Sequence, residues 1–286
     1  MRSIRPKKNL GQHFLTDLSI AQRIADTIDT HPDLPVLEVG PGMGVMSQYI
    51  MQKPRPYKVV ELDGESVDYL RKHYPAFEDN IIADDFLKMR LEYTFDGQPF
   101  VLTGNYPYNI SSQIFFRVLD YKHLIPCCTG MIQKEVAERL ASPPGSKAYG
   151  ILSVLVQAWY DVEYLFTVAP SVFNPPPKVQ SAVIRMVRNG VQQLGCNERL
   201  FKRVVKTVFN QRRKMMRGSI KPLLAQLDGE LRLHVADHSR LLADPLLTQR
   251  PEQLSVKQFV ELTLMVEQDY AQQGVELLPI EKKNAC

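Results

Sequence analysis

The sequence predicts an α/β fold with an open, mainly parallel sheet, followed by a small all-helical C-terminal domain. Short apolar strands alternate with helical segments from residue 36 to about residue 133, which is typical of such a sheet. A glycine-rich turn, G-P-G-M-G at residues 40–44, directly follows the first strand. Strand signals stop after residue 189, and apolar residues from 197 to 270 recur at helical spacing. We therefore expect residues 1–188 to form the α/β domain and residues 189–286 the helical domain.

Apolar stretches rich in β-branched residues define the predicted strands, and one helix is expected before them. The predicted strands span residues 36–39, 58–63, 80–83, 100–102, 129–133, 162–168 and 181–186. Ile20, Ile24 and Ile28 recur at helical spacing, so we expect a helix from about Thr16. Residues 9–15 show no apolar period and are predicted to form a loop.

The composition is ordinary for a soluble protein, with 44% hydrophobic and 23% charged residues among 286. No apolar run approaches the ~18 residues of a membrane span, and no apolar signal core follows the basic N-terminus. The four cysteines show no C-x-x-C spacing and no partnering histidine cluster, which argues against a zinc site or a disulfide framework. We expect a cytoplasmic protein that binds neither a membrane nor a metal.

The net charge of +4 is distributed unevenly along the chain. Residues 1–8 carry four basic and no acidic residues, and residues 196–221 carry nine basic residues against Glu198. Two basic segments on an otherwise acidic chain indicate a polyanionic partner, although either segment alone could be a solvated helix face. In the second segment, the residues expected to bind phosphates of such a partner are Arg203, Lys206, Arg212, Arg213, Lys214 and Arg217.

The sequence N-Y-P-Y at residues 105–108 is a candidate catalytic motif at the end of a predicted strand. The side-chain oxygen of Asn105 can accept a hydrogen bond from an amine, and the carbonyl of Tyr106, held extended before Pro107, offers a second acceptor. Tyr108 supplies a face for base stacking, worth about 1–3 kcal/mol. This combination suits the exocyclic amino group of a nucleobase, because two acceptors make its nitrogen more nucleophilic. The alternative is an ordinary turn, in which Asn and Pro are common.

Four predicted strands end at groups that suit a nucleoside cofactor. Ligands of open α/β sheets bind beyond the carboxyl ends of the strands, where Gly40, Glu61, Asp85 and Asn105 lie in this sequence. Glu61 is placed to bind a ribose hydroxyl pair, and Asp85 with the N–H of Phe86 can bind adenine. The turn matches neither the dinucleotide nor the triphosphate fingerprint. A cofactor without phosphates, S-adenosyl-L-methionine, therefore suits the site better than NAD or ATP.

Eight motifs, in this order, resemble those of the ribosomal RNA adenine N6,N6-dimethyltransferases. They begin at residues 9, 38, 60, 85, 104, 133, 173 and 209, and they read N-L-G-Q-H-F-L, E-V-G-P-G-M-G, V-E-L-D, D-F-L, G-N-Y-P-Y-N-I-S, Q-K-E-V-A, F-N-P-P-P-K-V and F-N-Q-R-R-K. The resemblance implies a Rossmann-like S-adenosylmethionine-dependent methyltransferase sheet with a small helical C-terminal domain. It implies N6,N6-dimethylation of two adjacent adenosines near the 3′ end of small-subunit rRNA. The partner it implies is that rRNA within a pre-30S particle, which we expect a monomer to bind.

The resemblance also implies roles for individual residues. Contacts with the cofactor are implied for His13, Leu15, Gly40, Gly42, Glu61, Asp85, Phe86 and Asn105. Contacts with the target base are implied for Asn105, Tyr106, Pro107 and Tyr108, with Phe173 as a second stacking face. Two positions depart from the common family pattern, since His13 stands where Asn is usual and Tyr106 where Leu or Ile is usual. We expect Tyr106 to line the pocket through its backbone.

Three alternatives compete with this interpretation. The first is methylation of large-subunit rRNA by a related family, against which the F-N-Q-R-R-K segment favours the small-subunit branch. The second is DNA adenine methylation, whose usual motif has two prolines and does not match N-Y-P-Y. The third is a non-catalytic assembly or transcription factor that retains the fold, and the intact row of strand ends argues against it.

Overall fold

The computed structural model describes Lys7, residues 11–233 and residues 236–277. The other basic residues of segment 1–8, and the first two residues of the N-L-G-Q-H-F-L motif, lie outside the described residues. The chain forms two compact units. The first contains the chain up to Ala141 together with Trp159–Asn189, and the second contains Ser142–Ala158 together with the chain from Gly190.

A seven-stranded sheet, with strand order β4-β3-β2-β5-β6-β9-β7, forms the core of the first unit. The strands are β1 (Phe14–Leu15), β2 (Val36–Val39), β3 (Tyr57–Glu61), β4 (Ile81–Ala83), β5 (Val101–Thr103), β6 (Cys127–Gln133), β7 (Tyr160–Val168), β8 (Phe173–Asn174) and β9 (Ser181–Arg188). Strands β2 to β6 run parallel, and β9 is antiparallel to both β6 and β7. The predicted α/β fold is confirmed, and all seven predicted strands are present. The central strands β2, β5 and β6 are visible in the sequence because strands buried on both faces read as continuous apolar runs.

Strands β1 and β8 form a separate two-stranded antiparallel sheet, in which Leu15 lies opposite Phe173. The prediction of a loop over residues 9–15 is therefore wrong for Phe14 and Leu15. A strand of two residues has no measurable period, and its partner is distant in the sequence. This pairing ties the N-terminal segment to the loop that carries the F-N-P-P-P-K-V motif.

Helices flank the sheet of the first unit and make up most of the second. They are α1 (Leu18–Asp26), α2 (Ser47–Ile50), α3 (Gly64–His73), α4 (Ser111–Asp120), α5 (Lys134–Ala141), α6 (Ile151–Gln157), α7 (Glu198–Asn210), α8 (Met216–Ser219), α9 (Lys221–Leu231), α10 (Ser239–Leu242) and α11 (Val256–Gln272). Helix α1 begins after Asp17 because that carboxylate accepts from the N–H groups of Ser19 and Ile20. Asn197 caps α7 in the same way.

Helix α6 belongs to the second unit, although every residue up to 188 was predicted to lie in the first domain. In the second unit, the buried ring of Tyr149 meets the ring of Phe209 edge to face, with centroids 6.3 Å apart. The apolar run around α6 signals burial in a core but does not reveal which core. The sequence pattern alone therefore does not show that Ser142–Ala158 belongs to the second unit.

The described residues contain no helix that is long and apolar enough to cross a membrane. Within the same residues, no group of three or more His, Cys, Asp or Glu side chains is arranged to hold a metal ion. Cys127, Cys128 and Cys196 are free thiols.

Candidate functional site

The carboxyl ends of β2, β3 and β5 open onto a cavity of about 310 Å³ in the first unit. These strands are parallel neighbours, so the residues that follow them converge at one edge of the sheet. The cavity brings together almost all of the sequence-predicted cofactor and base contacts. Those that line it are His13, Leu15, Gly40, Gly42, Glu61, Asp85, Phe86, Asn105, Tyr106, Pro107 and Tyr108.

The glycine turn presents bare backbone to this cavity. Gly40 and Gly42 have φ values of +68° and +56°, in the left-handed region that favours glycine. A Cβ on Gly42 would come within 3.0 Å of the Phe14 ring. The nearest atom to a Cβ on Gly40 would be Cδ of Pro107, 4.0 Å away. A side chain on Gly40 would thus fill the space between the turn and the N-Y-P-Y motif.

Glu61 ends β3 with its carboxylate against the glycine turn. The residue is 7% exposed, and its two carboxylate oxygens accept from the N–H groups of Gly42 at 3.2 Å and Asp63 at 2.9 Å. Burial raises the pKa of the Glu61 carboxyl, and the backbone hydrogen bonds only partly oppose that shift. Each oxygen keeps further acceptor capacity, so the group is suited to bind a pair of hydroxyls.

The turn after β4 places Asp85 and Phe86 at the cavity. One oxygen of Asp85 accepts from the N–H of Leu87 at 2.9 Å, and the other pairs with the exposed ammonium of Lys88 at 3.3 Å. The carbonyl of the buried Phe86 accepts from Nε of Arg117 at 3.0 Å. These bonds fix the conformation of the turn.

Asn105 is held by both the sheet and the N-terminal segment. Asn105 forms a bridge with Met131, and the flanking Gly104 and Tyr106 exchange backbone hydrogen bonds with Met131 at 2.9 Å each. The side-chain Nδ2 of Asn105 donates to the backbone carbonyl of His13 at 3.1 Å. A carbonyl can only accept, so the amide nitrogen must face His13. The side-chain oxygen of Asn105 therefore remains the acceptor, as the catalytic hypothesis requires.

Tyr106 lines the cavity while its ring lies in the core of the first unit. The residue is 1% exposed, and its hydroxyl donates to the carbonyl of Thr129 at 2.8 Å. Gly130 makes room for the ring: its φ is +143°, and a Cβ there would lie 2.8 Å from Cε2 of Tyr106. The same Cβ would lie 2.3 Å from the carbonyl oxygen of Gly104, so a glycine at residue 130 allows both the Tyr106 ring and the Gly104 backbone to approach closely.

The ring of Tyr108 stacks on the ring of His13, with centroids 5.4 Å apart and planes inclined by 28°. The Tyr108 hydroxyl is hydrogen-bonded to Oγ of Ser181. Nδ1 of His13 donates to the carbonyl of Pro175 at 2.9 Å. His13 therefore touches three parts of the site: Asn105 through its carbonyl, Tyr108 through its ring, and the loop after β8 through its nitrogen.

Phe173 is placed differently from the expectation of a second stacking face. It is absent from the cavity lining and is 4% exposed. Its side chain packs in a buried cluster with Leu15, Met131 and Val183. The antiparallel pairing of β8 with β1, which the sequence did not reveal, accounts for this burial.

Three polar residues at the site were not singled out by the sequence analysis. Glu38 in β2 lines the cavity and is 1% exposed, with hydrogen bonds from Oγ of Ser47 at 2.7 Å and from the Tyr57 hydroxyl. Burial raises its pKa to about 7. Gln12 and Asp63 hydrogen-bond to each other at 3.2 Å. The sequence signal for Glu38 was a carboxylate inside an apolar strand. The signal for Gln12 and Asp63 was that both lie in motifs that carry the family resemblance.

The predicted RNA-binding residues differ in their surroundings within the second unit. The guanidinium of Arg203 forms two hydrogen bonds with Glu230, at 2.9 and 3.0 Å. Arg212 donates to the carbonyl of Ser146 at 3.1 Å and lies 3.7 Å from the Glu252 carboxylate. The exposed members of the set are Lys206, Arg213, Lys214 and Arg217. The exposed residues are better placed to meet phosphates than Arg203 and Arg212, which are partly buried and pair with carboxylates.

The side chains that line the cavity suit a cationic nucleoside cofactor. Its lining, within the described residues, includes the carboxylates Glu38, Glu61, Asp84 and Asp85 and contains no lysine or arginine. An acidic lining disfavours phosphates and favours a positively charged sulfonium group with an amino-acid chain. S-adenosylmethionine would be held by Glu61 at its ribose, by the turn after β4 at its adenine and by the glycine turn along its length.

Known proteins resemble the chain over most of its length. A family model described as ribosomal RNA adenine dimethylase matches residues 4–265. A protein of Phocaeicola vulgatus named ribosomal RNA small subunit methyltransferase A is 68% identical over 267 residues, covering 93% of this chain and 91% of that protein. A protein of the same name from Parabacteroides distasonis is 60% identical over 278 residues, covering 97% of this chain and all of the relative.

Two solved structures resemble the chain over most of its length. A dimethyladenosine transferase from Plasmodium falciparum superposes with a TM-score of 0.75 over 93% of this chain and all of that chain. Its sequence identity is 22%, so it supports the fold alone. The 23S rRNA methyltransferase ErmE superposes with a TM-score of 0.62 at 26% identity, covering 87% of this chain and 99% of that one.

Proposed function

Because the chain belongs to the ribosomal RNA adenine dimethylase family, we propose that it transfers methyl groups from S-adenosylmethionine to N6 of adenosines in small-subunit rRNA. The observation that carries the proposal is the convergence of Asn105 with Gly40 and Glu61 around one cavity. The reaction requires an acceptor for an amine beside a pocket for a nucleoside cofactor, so this convergence supports the proposal.

The residues of the cavity orient the two reactants. Glu61 and the turn after β4 would hold the nucleoside of the cofactor, and the lack of a side chain on Gly40 leaves space between the glycine turn and Pro107. The sulfonium cofactor supplies an electrophilic methyl group, and its transfer to N6 breaks the carbon–sulfur bond, leaves the electron pair on sulfur and releases one N6 proton to water. The chain contributes mainly by alignment, since fixing two reactants in line lowers the entropic part of the barrier.

Asn105 and Tyr108 act on the adenine. The Asn105 side-chain oxygen and the Tyr106 carbonyl would accept hydrogen bonds from the N6 amino group, which draws its lone pair away from the ring. The ring of Tyr108 would stack on the base through the face that His13 does not cover. The nitrogen is inaccessible inside a duplex, so the target adenosine must be unstacked or flipped into the cavity. Two transfers to the same nitrogen yield N6,N6-dimethyladenosine.

The finer features of the proposal concern the natural substrate. We infer that the targets are two adjacent adenosines near the 3′ end of small-subunit rRNA, presented in a pre-30S particle in the cytoplasm, and that a monomer acts on them. Lys206, Arg213, Lys214 and Arg217 would bind phosphates of that RNA. Family membership and the exposure of these basic side chains support this part of the proposal.

A substrate panel tests the proposal directly. Wild-type protein and methyl-labelled S-adenosylmethionine are incubated in parallel with unmethylated small subunits, large subunits and duplex DNA, and the labelled nucleosides are identified after digestion. We expect N6,N6-dimethyladenosine in the small-subunit sample alone. Label confined to large subunits would instead support the activity named for the ErmE relative, and label in none of the samples would contradict methyl transfer to these substrates.

A further inference from the structure

We call Lys7 and residues 11–15 the strap: residues 11–15 line the cavity, and the strap makes contacts on two sides of it. At one side, Nζ of Lys7 lies 2.5 Å from Oδ1 of Asp63 and Nε2 of Gln12 donates to Oδ2 of Asp63 at 3.2 Å. At the other side, the carbonyl of His13 accepts from Asn105, and β1 pairs with β8. The strap thus joins the β3 end of the cavity to the N-Y-P-Y motif.

Asp63 has an unusual set of partners for a residue at the start of a helix. It is the N-cap of α3, yet its side chain makes no capping hydrogen bond to the backbone of that helix. Its oxygens instead accept from Lys7, Gln12 and the Ser66 hydroxyl, while the residue is only 4% exposed. A buried carboxylate at an N-cap normally satisfies backbone N–H groups. Here the carboxylate of Asp63 accepts hydrogen bonds from Lys7 and Gln12 of the strap instead.

The strap also packs closely against the motif at its centre. Gly11 has a φ of +64°, and a Cβ there would lie 2.6 Å from Oδ1 of Asn109. Lys7 and Gln12 are tied to each other, because the Lys7 N–H donates to Oε1 of Gln12 at 2.9 Å. Lys7, Gln12 and Asp63 therefore form one hydrogen-bonded group next to His13 in the chain.

We propose that Asp63 is a positioning residue for methyl transfer, which holds the strap so that the His13 carbonyl orients the amide of Asn105. The inference rests on the proposed function and deepens it, because it names a residue that does not itself line the cavity. Asp63 acts through two steps: it fixes Gln12, and the adjacent His13 carbonyl then fixes which atom of the Asn105 side chain faces the amine. The same strap forms part of the cavity wall, so Asp63 also slows cofactor escape.

The charge relationships support this assignment. Burial alone would raise the pKa of the Asp63 carboxyl, but hydrogen bonds from Lys7, Gln12 and Ser66 lower it. Asp63 is therefore ionised at neutral pH and can form a charge-assisted bond with Lys7, which is stronger than a neutral one. Glu65 also lies near Lys7, at 3.1 Å, but its side chain is 61% exposed, so its pairing contributes little.

The test compares Asp63→Asn and Lys7→Met with the matched control Glu65→Gln, which removes the exposed partner of the same lysine. The dissociation rate of tritiated S-adenosylmethionine is measured without RNA, and kcat is measured with unmethylated small subunits. Loss of one charge-assisted bond predicts a roughly tenfold faster dissociation and a roughly tenfold lower kcat for Asp63→Asn and Lys7→Met. Glu65→Gln should stay within about twofold of wild type.

A double-mutant cycle separates positioning from a general structural role. In an Asn105→Ala background, single-turnover transfer at saturating S-adenosylmethionine should be no slower when Asp63→Asn is added, because the group that Asp63 positions is already missing and cofactor retention no longer limits the rate. Equal slowing by Asp63→Asn in both backgrounds, or wild-type dissociation and kcat for Asp63→Asn, would overturn the proposal. The proposed function and the role of the strap can fail separately. If the wild type transfers no methyl groups but Asp63→Asn still releases the cofactor faster than the wild type does, the proposed function is contradicted and the role of the strap in cofactor retention is supported.

Discussion

The carboxylate of Glu61 accepts a hydrogen bond from the N–H of Gly42 at 3.2 Å, which joins the end of β3 to the glycine turn after β2. Two elements that the sequence separates by about 20 residues thus form one wall of the cavity. This hydrogen bond fixes the carboxylate at the position where doubly wound nucleoside-binding folds hold a ribose.

Glu61→Gln should weaken cofactor binding, since a neutral amide replaces a buried carboxylate as hydroxyl acceptor. A hydrogen bond to a charged group contributes about 1.5–3 kcal/mol, so we expect a roughly 10- to 100-fold higher Kd. Calorimetric titration with S-adenosylmethionine measures it. Glu78→Gln is the control, because Glu78 is exposed and pairs only loosely with Arg71 at 3.7 Å. An unchanged Kd for Glu61→Gln would remove Glu61 from the site.

Acidification should weaken cofactor binding through the same residue. Burial raises the pKa of Glu61, so its carboxylate is protonated at a higher pH than an exposed glutamate. The cofactor Kd of the wild type should therefore rise as the pH falls through that raised pKa. Glu61→Gln should lose this part of the pH dependence. A titration series of Kd against pH for both proteins checks the prediction, and identical profiles would contradict it.

Tyr106→Phe should destabilise the first unit modestly, because the Thr129 carbonyl loses the hydroxyl that donates to it at 2.8 Å. We expect a loss of about 1 kcal/mol in the free energy of unfolding. Gly130→Ala should cost more, at least about 2 kcal/mol, since φ is +143° there and the new Cβ would clash with the Gly104 carbonyl oxygen and the Tyr106 ring. Urea unfolding followed by fluorescence of the single, buried Trp159 measures both. Equal stabilities for the two variants would contradict this packing.

His238 should make the second unit lose stability as the pH rises. Its ring lies between Asp269, 2.5 Å from Nδ1, and Asp228, 3.2 Å from Nε2. Burial alone would lower the pKa of His238, but the hydrogen bonds to these carboxylates raise it. The stabilisation is therefore complete below the unfolded pKa of about 6.5 and is lost as the pH rises through the folded value. Thermal midpoints between about pH 5.5 and pH 9 should show this decline in the wild type and not in His238→Gln.

Exposed basic residues of the second unit should govern the salt dependence of RNA binding. Replacing Lys214 or Arg217 by Gln should reduce the slope of log K against log salt by about 0.7–0.9 for each phosphate that the variant no longer neutralises. Arg203→Gln should have a smaller effect, because that guanidinium is engaged by Glu230 within the unit. Binding to unmethylated small subunits across a salt series measures the slopes. A larger effect for Arg203 than for Lys214 would contradict the ranking.

The sequence predicted the sheet and most of the cavity well because both depend on local signals. Buried parallel strands give continuous apolar runs, and the residues after them must converge at one sheet edge, as Gly40, Glu61 and Asn105 do. Pairings between distant segments leave no such signal. The pairing of β1 with β8 could not be read from sequence, and it explains why Phe173 is buried and why residues 14 and 15 are not a loop.

The charge pattern of the sequence identified the basic segment but not which of its residues are paired with carboxylates. The density of basic residues near residue 210 was visible in the sequence, but the acidic partners of Arg203 and Arg212 come from α9 and from the region before α11. A count of charges along the chain cannot separate an arginine that pairs with a carboxylate of another helix from one that is free to meet a ligand. The distinction between Arg203 and Lys214 therefore required the tertiary structure.

The central claim is that the side-chain oxygen of Asn105 accepts from the N6 amine while its Nδ2 is held by His13. Single-turnover methyl transfer to small subunits by Asn105→Ala, combined with its cofactor Kd, tests this claim most directly. Losing one preorganised acceptor should slow transfer by about 100-fold or more, with a Kd within a few-fold of wild type. Transfer at the wild-type rate by Asn105→Ala would contradict the account.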